Sequence, residues 1–265
     1  MKVFISVDIE GCSGITHWNE ADRTHPDYPA FCQIMTQETL AAIDGARAAG
    51  ATQIVVKDAH SSGRNLDLSL LPEDVCVVRS WAGHPMCMVQ ELDETYDAVV
   101  MVGYHAAAGS EGNALAHTLS LDPAAVVLNG APASEFRIHA LAAATVGVPV
   151  VFVSGDKALM DEVQALNPRI GRCAVKEGRG QSTVTLTPAA ACRAIRDGVQ
   201  AALSGDLDAC LLPLEERYVL DITYADPCKA ERHRWYPGAE HVGARTVRLD
   251  CARFFDVLRA LNYMT

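Results

Sequence analysis

Lys2-Val3-Phe4-Ile5-Ser6-Val7-Asp8 opens the chain with a short β-rich run that stops on a carboxylate, and Ile9-Glu10-Gly11-Cys12-Ser13-Gly14 turns the chain after it. An apolar run without strict alternation suits a strand buried on both faces. The same kind of segment recurs outward from there. Gln53-Ile54-Val55-Val56-Lys57-Asp58 empties into the loop His60-Ser61-Ser62-Gly63-Arg64-Asn65, and further runs cover Val75 to Val78, Ala98 to Val102, Ala125 to Leu128 and Pro149 to Val153. Helical patterns lie between them, from Ala30 to Ala49 with Gly50 as the stop, from Ser134 to Val146, and on to Leu166. Alternating buried strands and helices predict an α/β fold, a mostly parallel sheet with helices on both faces.

From about Arg217 the pattern changes. Tyr218 to Thr223 and Thr246 to Leu249 read as sheet strands without crossover helices between them. They predict a smaller C-terminal α+β element with antiparallel strands over 206–265, behind an α/β domain over 1–205 and a helix at Ala189–Leu203. The two parts are expected to pack as one unit.

Composition sets limits on function. With 265 residues, 49% of them hydrophobic, the chain can bury a large core, and surface scaling gives a folded area of roughly 11,000 Å². Lys and Arg number 22 against 33 Asp and Glu, a net charge of −11. Nucleic acid and anionic membranes both need clustered cations, so neither is an expected partner. No run approaches the 18 or so apolar residues of a transmembrane helix. Asp8 and Glu10 also interrupt the N-terminal segment before the apolar core of a secretory signal can form. The nine cysteines are scattered without a Cys-x-x-Cys pair, which reads as reduced thiols and a cytoplasmic protein.

Ligands of an open α/β sheet gather outside the carboxyl ends of its strands. There the first strand delivers Asp8 and Glu10, the second Asp58 and His60, and the fourth His105. Two carboxylates two positions apart repel unless a cation or a proton holds them together. Carboxylates combined with imidazoles suit zinc or a similar borderline metal. Each residue also has an ordinary reading. Asp8 or Glu10 would cap the Gly11–Gly14 turn, His60 would be a solvated loop residue, and His105 a hydrogen-bonded core histidine. His117, after the Gly109–Gly112 loop, has the chemistry of a general acid or base. Glu135 reads equally as a first-turn carboxylate favoured by its helix dipole, and His139, one turn on, as packed. Cys12 reads as buried, with an activated nucleophile as the alternative, and Gly178-Arg179-Gly180-Gln181-Ser182-Thr183 as a connection or an anion cradle. Nucleophile-elbow, dinucleotide and P-loop signatures are absent.

Ser6-Val7-Asp8-Ile9-Glu10-Gly11, Asp58-Ala59-His60-Ser61 and Gly103-Tyr104-His105-Ala106 together resemble the zinc-dependent D-aminopeptidase family encoded in bacterial dipeptide-transport operons. The similarity runs from Met1 to about Asp156 and more loosely to the C-terminal strands. It implies two zinc ions per subunit, with Asp8 bridging them and Glu10, His60, His105 and Glu135 completing the ligands. His117 falls on the family's non-ligand catalytic histidine. The implied enzyme is a metallo-aminopeptidase releasing N-terminal residues, D-Ala among them, from short peptides, with water activated by the metals and His117 as acid/base. Members resemble ring-shaped homodecamers, which implies a homo-oligomer. Two positions depart from the family: its glutamate is usually flanked by glycine, against Ser134-Glu135-Phe136 here, and its histidine is often followed by Ser, against Thr118. A metal-dependent amidase or L-specific dipeptidase on the same scaffold, and a non-catalytic metal or peptide sensor, stand as alternatives.

Overall fold

The computed structural model describes residues 1–265. Its strands are β1 (Lys2–Val7), β2 (Gln53–Asp58), β3 (Val75–Val78), β4 (Ala98–Tyr104), β5 (Pro123–Leu128), β6 (Ala131–Pro132), β7 (Val150–Asp156), β8 (Gly171–Arg179), β9 (Ser182–Thr185), β10 (Tyr218–Tyr224), β11 (Ala239–Gly243) and β12 (Thr246–Cys251). Its helices are α1 (Trp18–Ala21), α2 (Tyr28–Ala48), α3 (Glu135–Ala144), α4 (Lys157–Leu166), α5 (Pro188–Leu203), α6 (Pro227–His233) and α7 (Phe254–Met264). A seven-stranded sheet runs in the order β3-β2-β1-β4-β7-β8-β9, parallel throughout except for the β8–β9 hairpin at its edge. A five-stranded sheet, β11-β12-β10-β5-β6, is antiparallel.

The long helix α2 shows why local sequence and packing agree. Pro29 sits in its first turn, where a missing N–H costs nothing. Met35, Ala42, Ile43 and Ala46 recur at helical spacing and are buried. Gly45 lets α5 come close, since a Cβ there would lie 2.4 Å from the Arg196 carbonyl oxygen.

The chain leaves β1 through α2 towards β2 and β3, but leaves β4 in the opposite direction towards β7 and β8. Right-handed crossovers then place α2 on one face and α3 and α4 on the other. The reversal between β1 and β4 opens a crevice at their carboxyl ends, the usual ligand site of such sheets.

One strand is placed differently from the expectation. Ala125–Leu128 does not join the parallel sheet; β5 pairs antiparallel with β10, with Leu128 opposite Leu220 and Val126 opposite Ile222. No helix precedes it after β4, so it lacks the crossover a parallel neighbour needs. The antiparallel element expected over 206–265 is therefore completed by β5 and β6 from within 1–205. One hydrophobic cluster of 70 buried residues joins the two sheets. The folded surface is 11311 Å², and no helix is long and apolar enough to cross a membrane.

Candidate metal centre

Six side chains converge at the crevice. Asp8 and Glu10 follow β1, His60 follows β2, His105 follows β4, and Glu135 is the first residue of α3 behind the N-cap Ser134, whose Oγ accepts the Arg137 N–H at 3.1 Å. His117 comes from the loop between β4 and β5. Asp8, Glu10, His60, His105 and Glu135 are all buried.

Gly11 and Gly103 allow β1 and β4 to end so close together. The Gly11 N–H donates to the Gly103 carbonyl at 2.7 Å. A Cβ on Gly11 would lie 1.8 Å from the Tyr104 carbonyl oxygen, and one on Gly103, whose φ is +71°, 2.2 Å from that of Asp8. Backbone occupies both places and cannot yield. Gly11→Ala is therefore expected to cost more than about 4 kcal/mol, in the range reserved for severe core or backbone disruption. Denaturant titration checks this, and a wild-type midpoint would show that the contact is unnecessary.

Donor atoms of Asp8, Glu10 and His105 lie within 4.8 Å of one another, as do those of His105, His117 and Glu135, and Asp8 has a histidine near each of its oxygens. On one side, His60 Nδ1 lies 3.4 Å from Asp8 Oδ1 and 3.0 Å from Glu10 Oε2. On the other, His105 Nε2 lies 3.5 Å from Asp8 Oδ2 and 3.4 Å from Glu135 Oε2. Zinc bonds of about 2.0–2.1 Å to N and O give tetrahedral edges of about 3.3–3.4 Å, so these separations suit donors around a common ion. Asp8 Oδ2, Glu10 Oε2 and His105 Nε2 are buried without a hydrogen-bond partner, which is costly unless a cation or a proton satisfies them.

The backbone fixes which nitrogen each imidazole offers. His60 Nε2–H donates to the Ala21 carbonyl at 2.8 Å, leaving Nδ1 for the centre. His105 Nδ1–H donates to the Ala106 carbonyl at 2.9 Å, leaving Nε2. Such carbonyl partners are the usual outer support of metal-binding histidines.

His117 differs. Its Nδ1–H donates to the Leu115 carbonyl at 2.8 Å, and its Nε2 stands 3.7 Å from Glu135 Oε1. The ring stacks on His105 at 4.4 Å and 11° and keeps 13% of its side chain exposed, so it faces both the centre and solvent. Its Nε2 comes within 4.8 Å of the donor atoms of His105 and Glu135. Glu135 Oε1 also accepts the Leu119 N–H at 2.6 Å.

Without metal, protons take the place of the cation. Burial, with Glu10 close by, pushes the Asp8 carboxyl well above the ordinary carboxylate value. Burial acts the same way on Glu10, but His60 outweighs it and holds Glu10 well below that value. Burial is likewise outweighed at Glu135, held at about 2 chiefly by His105. Burial disfavours imidazolium at both His60 and His105. Glu10 and Asp8 nevertheless raise His60 well above its ordinary value, and Glu135 and Asp8 raise His105 to about 10. Folded metal-free protein thus binds more protons than unfolded chain between the ordinary histidine value of 6.5 and about 10. The sign of linkage makes its stability fall as pH rises through that window. Thermal denaturation of chelated protein is expected to show this decline, while zinc-loaded protein, having displaced those protons, stays flat.

Other candidates resolve into structure. Asp58 turns away from the centre and accepts the N–H groups of Asn65 (2.5 Å) and Leu66 (2.9 Å) and the Asn65 Nδ2 (2.7 Å), which shapes the His60 loop. His139 is packed, donating from Nδ1 to the Glu135 carbonyl at 2.7 Å, and burial lowers its pKa to about 4. Cys12 lies fully buried with its thiol donating to the Asp8 carbonyl at 3.3 Å, and burial raises its pKa, the reverse of an activated thiol. Gly178–Thr183 forms the β8–β9 hairpin.

Sequence reasoning passed over several supports of the centre. Lys176, buried on β8, donates from Nζ to the Glu10 carbonyl and, at 2.7 Å, to that of Ile15. Asn113 Nδ2 donates to the Glu10 carbonyl at 3.2 Å and to Asp156 Oδ2 at 2.9 Å, and Asp156 Oδ2 also accepts the Ala106 N–H at 2.8 Å. A cleft of about 590 Å³ opens on the centre, walled by Trp18, Trp81, Met88, Leu119 and Leu258 among others, with no Lys or Arg in its lining.

Comparison with known proteins gives the chain's family. A family model described as D-aminopeptidase (Peptidase_M55) matches residues 1–263. A D-aminopeptidase from Bacillus subtilis (strain 168) is 31% identical over 267 residues, covering 100% of this chain and 97% of the relative. A solved structure described as the Zn-dependent D-aminopeptidase DppA from Bacillus subtilis, a self-compartmentalizing protease, superposes with a TM-score of 0.92 at 29% identity, covering 100% of this chain and 96% of that one. The resemblance carried by three short motifs thus extends over the whole chain, which belongs to the D-aminopeptidase family Peptidase_M55.

Proposed function

We propose that the protein is a dinuclear zinc aminopeptidase that releases N-terminal residues, D-amino acids such as D-Ala, from short peptides. The carrying observation is the pair of donor groups joined through Asp8. Glu10 and His60 would hold one ion with Asp8 Oδ1, and His105 and Glu135 the other with Asp8 Oδ2. Zinc bound there supplies Lewis acidity, drawing the pKa of a water towards neutrality and polarising a peptide carbonyl.

The protein's own residues do the rest. Asp8, Glu10 and Glu135 bring three carboxylates into a buried space and thereby favour cations in it. His117 Nε2, free of any hydrogen bond, takes a proton from the attacking water and delivers it to the departing amine nitrogen. Trp18, Leu119 and Trp81 wall the cleft and limit water around the reacting bond. A lining that carries Asp22 but no Lys or Arg accepts a substrate's free ammonium group, as an aminopeptidase requires.

The relative described as self-compartmentalizing supports a homo-oligomer here. Exposed Trp235 (76%) and Tyr263 (66%) are large apolar side chains available for contacts between copies. Nine free cysteines suit a reducing compartment, and the cytoplasm is the proposed location.

The test is amine release from a D-Ala-terminated tripeptide and its L mirror image, before and after chelation and zinc add-back. The expected result is D-selective cleavage that chelation abolishes and zinc restores. L-preferring, zinc-restored cleavage would keep the centre and overturn the D-specificity. Cleavage of neither, with zinc bound, would favour a different amide or the sensor reading.

A further inference from the structure

The one-turn helix α1 touches both halves of the centre without supplying a ligand. At its C-terminal end, the Ala21 carbonyl accepts His60 Nε2–H at 2.8 Å and so aims His60 Nδ1 at Asp8 and Glu10. At its N-terminal end, the Trp18 indole packs edge-to-face on His117 at 5.2 Å and 67°. His117 therefore packs against both Trp18 and His105.

A four-residue helix in a loop needs anchoring to hold anything in place. Glu20 Oε2 accepts the N–H groups of Thr16 at 2.5 Å and His17 at 3.0 Å, while His17 Nδ1 accepts that of Asn19 at 3.2 Å, a reciprocal capping box. Immediately upstream, Lys176 Nζ ties down the Ile15 carbonyl at 2.7 Å. Ala21 is buried, and Trp18 packs partly against the core. The segment from Glu10 to Ala21 thus forms an anchored arc from one metal ligand, past the proton-moving histidine, to the support of another ligand.

Resting on the aminopeptidase reading above, we infer that α1 is a clamp that sets His60 and His117 in a common register, with Trp18 as the positioning residue for His117. Neither Trp18 nor Glu20 hydrogen-bonds to the donor atoms. Both act through the histidines. An imidazole moved by about 1 Å loses about 100-fold in rate, so a loosened clamp registers in kcat rather than in KM. Loss of outer support for a ligand histidine costs about 10–100-fold in metal affinity.

The experiment uses full-length, zinc-loaded Trp18→Leu, Trp18→Phe and Glu20→Ala. Peptide kinetics and zinc affinity, measured by competition with a chromophoric chelator, are followed for each, with thermal melting as a check on folding. Trp18→Leu is expected to lower kcat about 10–100-fold with KM within about threefold and zinc affinity unchanged. Trp18→Phe, which keeps an aromatic ring against His117, is expected to stay within about threefold of wild type. Glu20→Ala is expected to weaken the zinc on the His60 side about tenfold or more.

Wild-type kcat in Trp18→Leu, or a loss confined to KM, would overturn the positioning role and leave Trp18 as a wall of the cleft. Unchanged zinc affinity in Glu20→Ala would overturn the His60 half. Should wild-type protein cleave no peptide, the aminopeptidase reading falls by itself. The zinc affinity of Glu20→Ala then still decides whether α1 supports His60.

Discussion

Asp8→Ala is expected to empty both sides of the centre while the chain stays folded. Each donor group contains one Asp8 oxygen, and without it each keeps one carboxylate and one imidazole. Losing an outer-shell partner of a metal ligand costs about 10–100-fold in affinity. A shared ligand should cost more than that at both positions at once. The fold survives because the metal-free centre loses its most crowded carboxylate, the one that burial and Glu10 push upward in pKa. Zinc content per chain is expected to drop from two to below one, and turnover by at least about 1,000-fold, in the range seen when a member of a catalytic unit is removed. Retention of two zinc ions by folded Asp8→Ala would remove Asp8 from the bridging position.

His117→Ala is expected to behave in the opposite way towards metal. The ring stacks on His105 and faces Glu135 at 3.7 Å, but the proposed centre does not use it as a ligand. Zinc content stays at two, and kcat falls by about 100- to 10,000-fold, the contribution of a positioned acid/base. Loss of one zinc together with activity would make His117 a ligand beside His105 and Glu135, whose donor atoms lie within reach of it. Near wild-type turnover would end its role in proton transfer.

The parallel core was legible because its strands are continuous apolar runs ending in polar turns, as in Lys2–Val7 and Ala98–Tyr104. The convergence of the candidate ligands was legible for a related reason: residues at the ends of adjacent parallel strands meet in space however far apart they lie in the chain. Asp8, His60 and His105 follow β1, β2 and β4, three neighbours in the sheet. Glu135 needed the resemblance, since a first-turn glutamate has an ordinary explanation at any helix.

The rest depended on pairings that no local pattern records. β5 looks like another core strand in isolation, and only its partner β10, about ninety residues on, sends it to the second sheet. Lys176 reaches the Glu10 carbonyl across 166 positions, and a lysine in a strand gives no sign of being buried. Helix α1 is too short to show periodicity, although Thr16-His17-Trp18-Asn19-Glu20 has an acidic residue where a capping box would want one. The C-terminal helix α7 has a readable pattern: Phe254, Val257, Leu258 and Leu261 recur at helical spacing and are buried, and Leu258 and Leu261 wall the cleft.

The most direct test is an anomalous difference map at the zinc edge from crystals of the zinc-loaded protein. Two peaks are expected, one between Asp8 Oδ1, Glu10 and His60 and the other between Asp8 Oδ2, His105 and Glu135, with His117 Nε2 outside both coordination spheres. A single peak, or two peaks that do not share Asp8, would contradict a dinuclear centre bridged by that carboxylate.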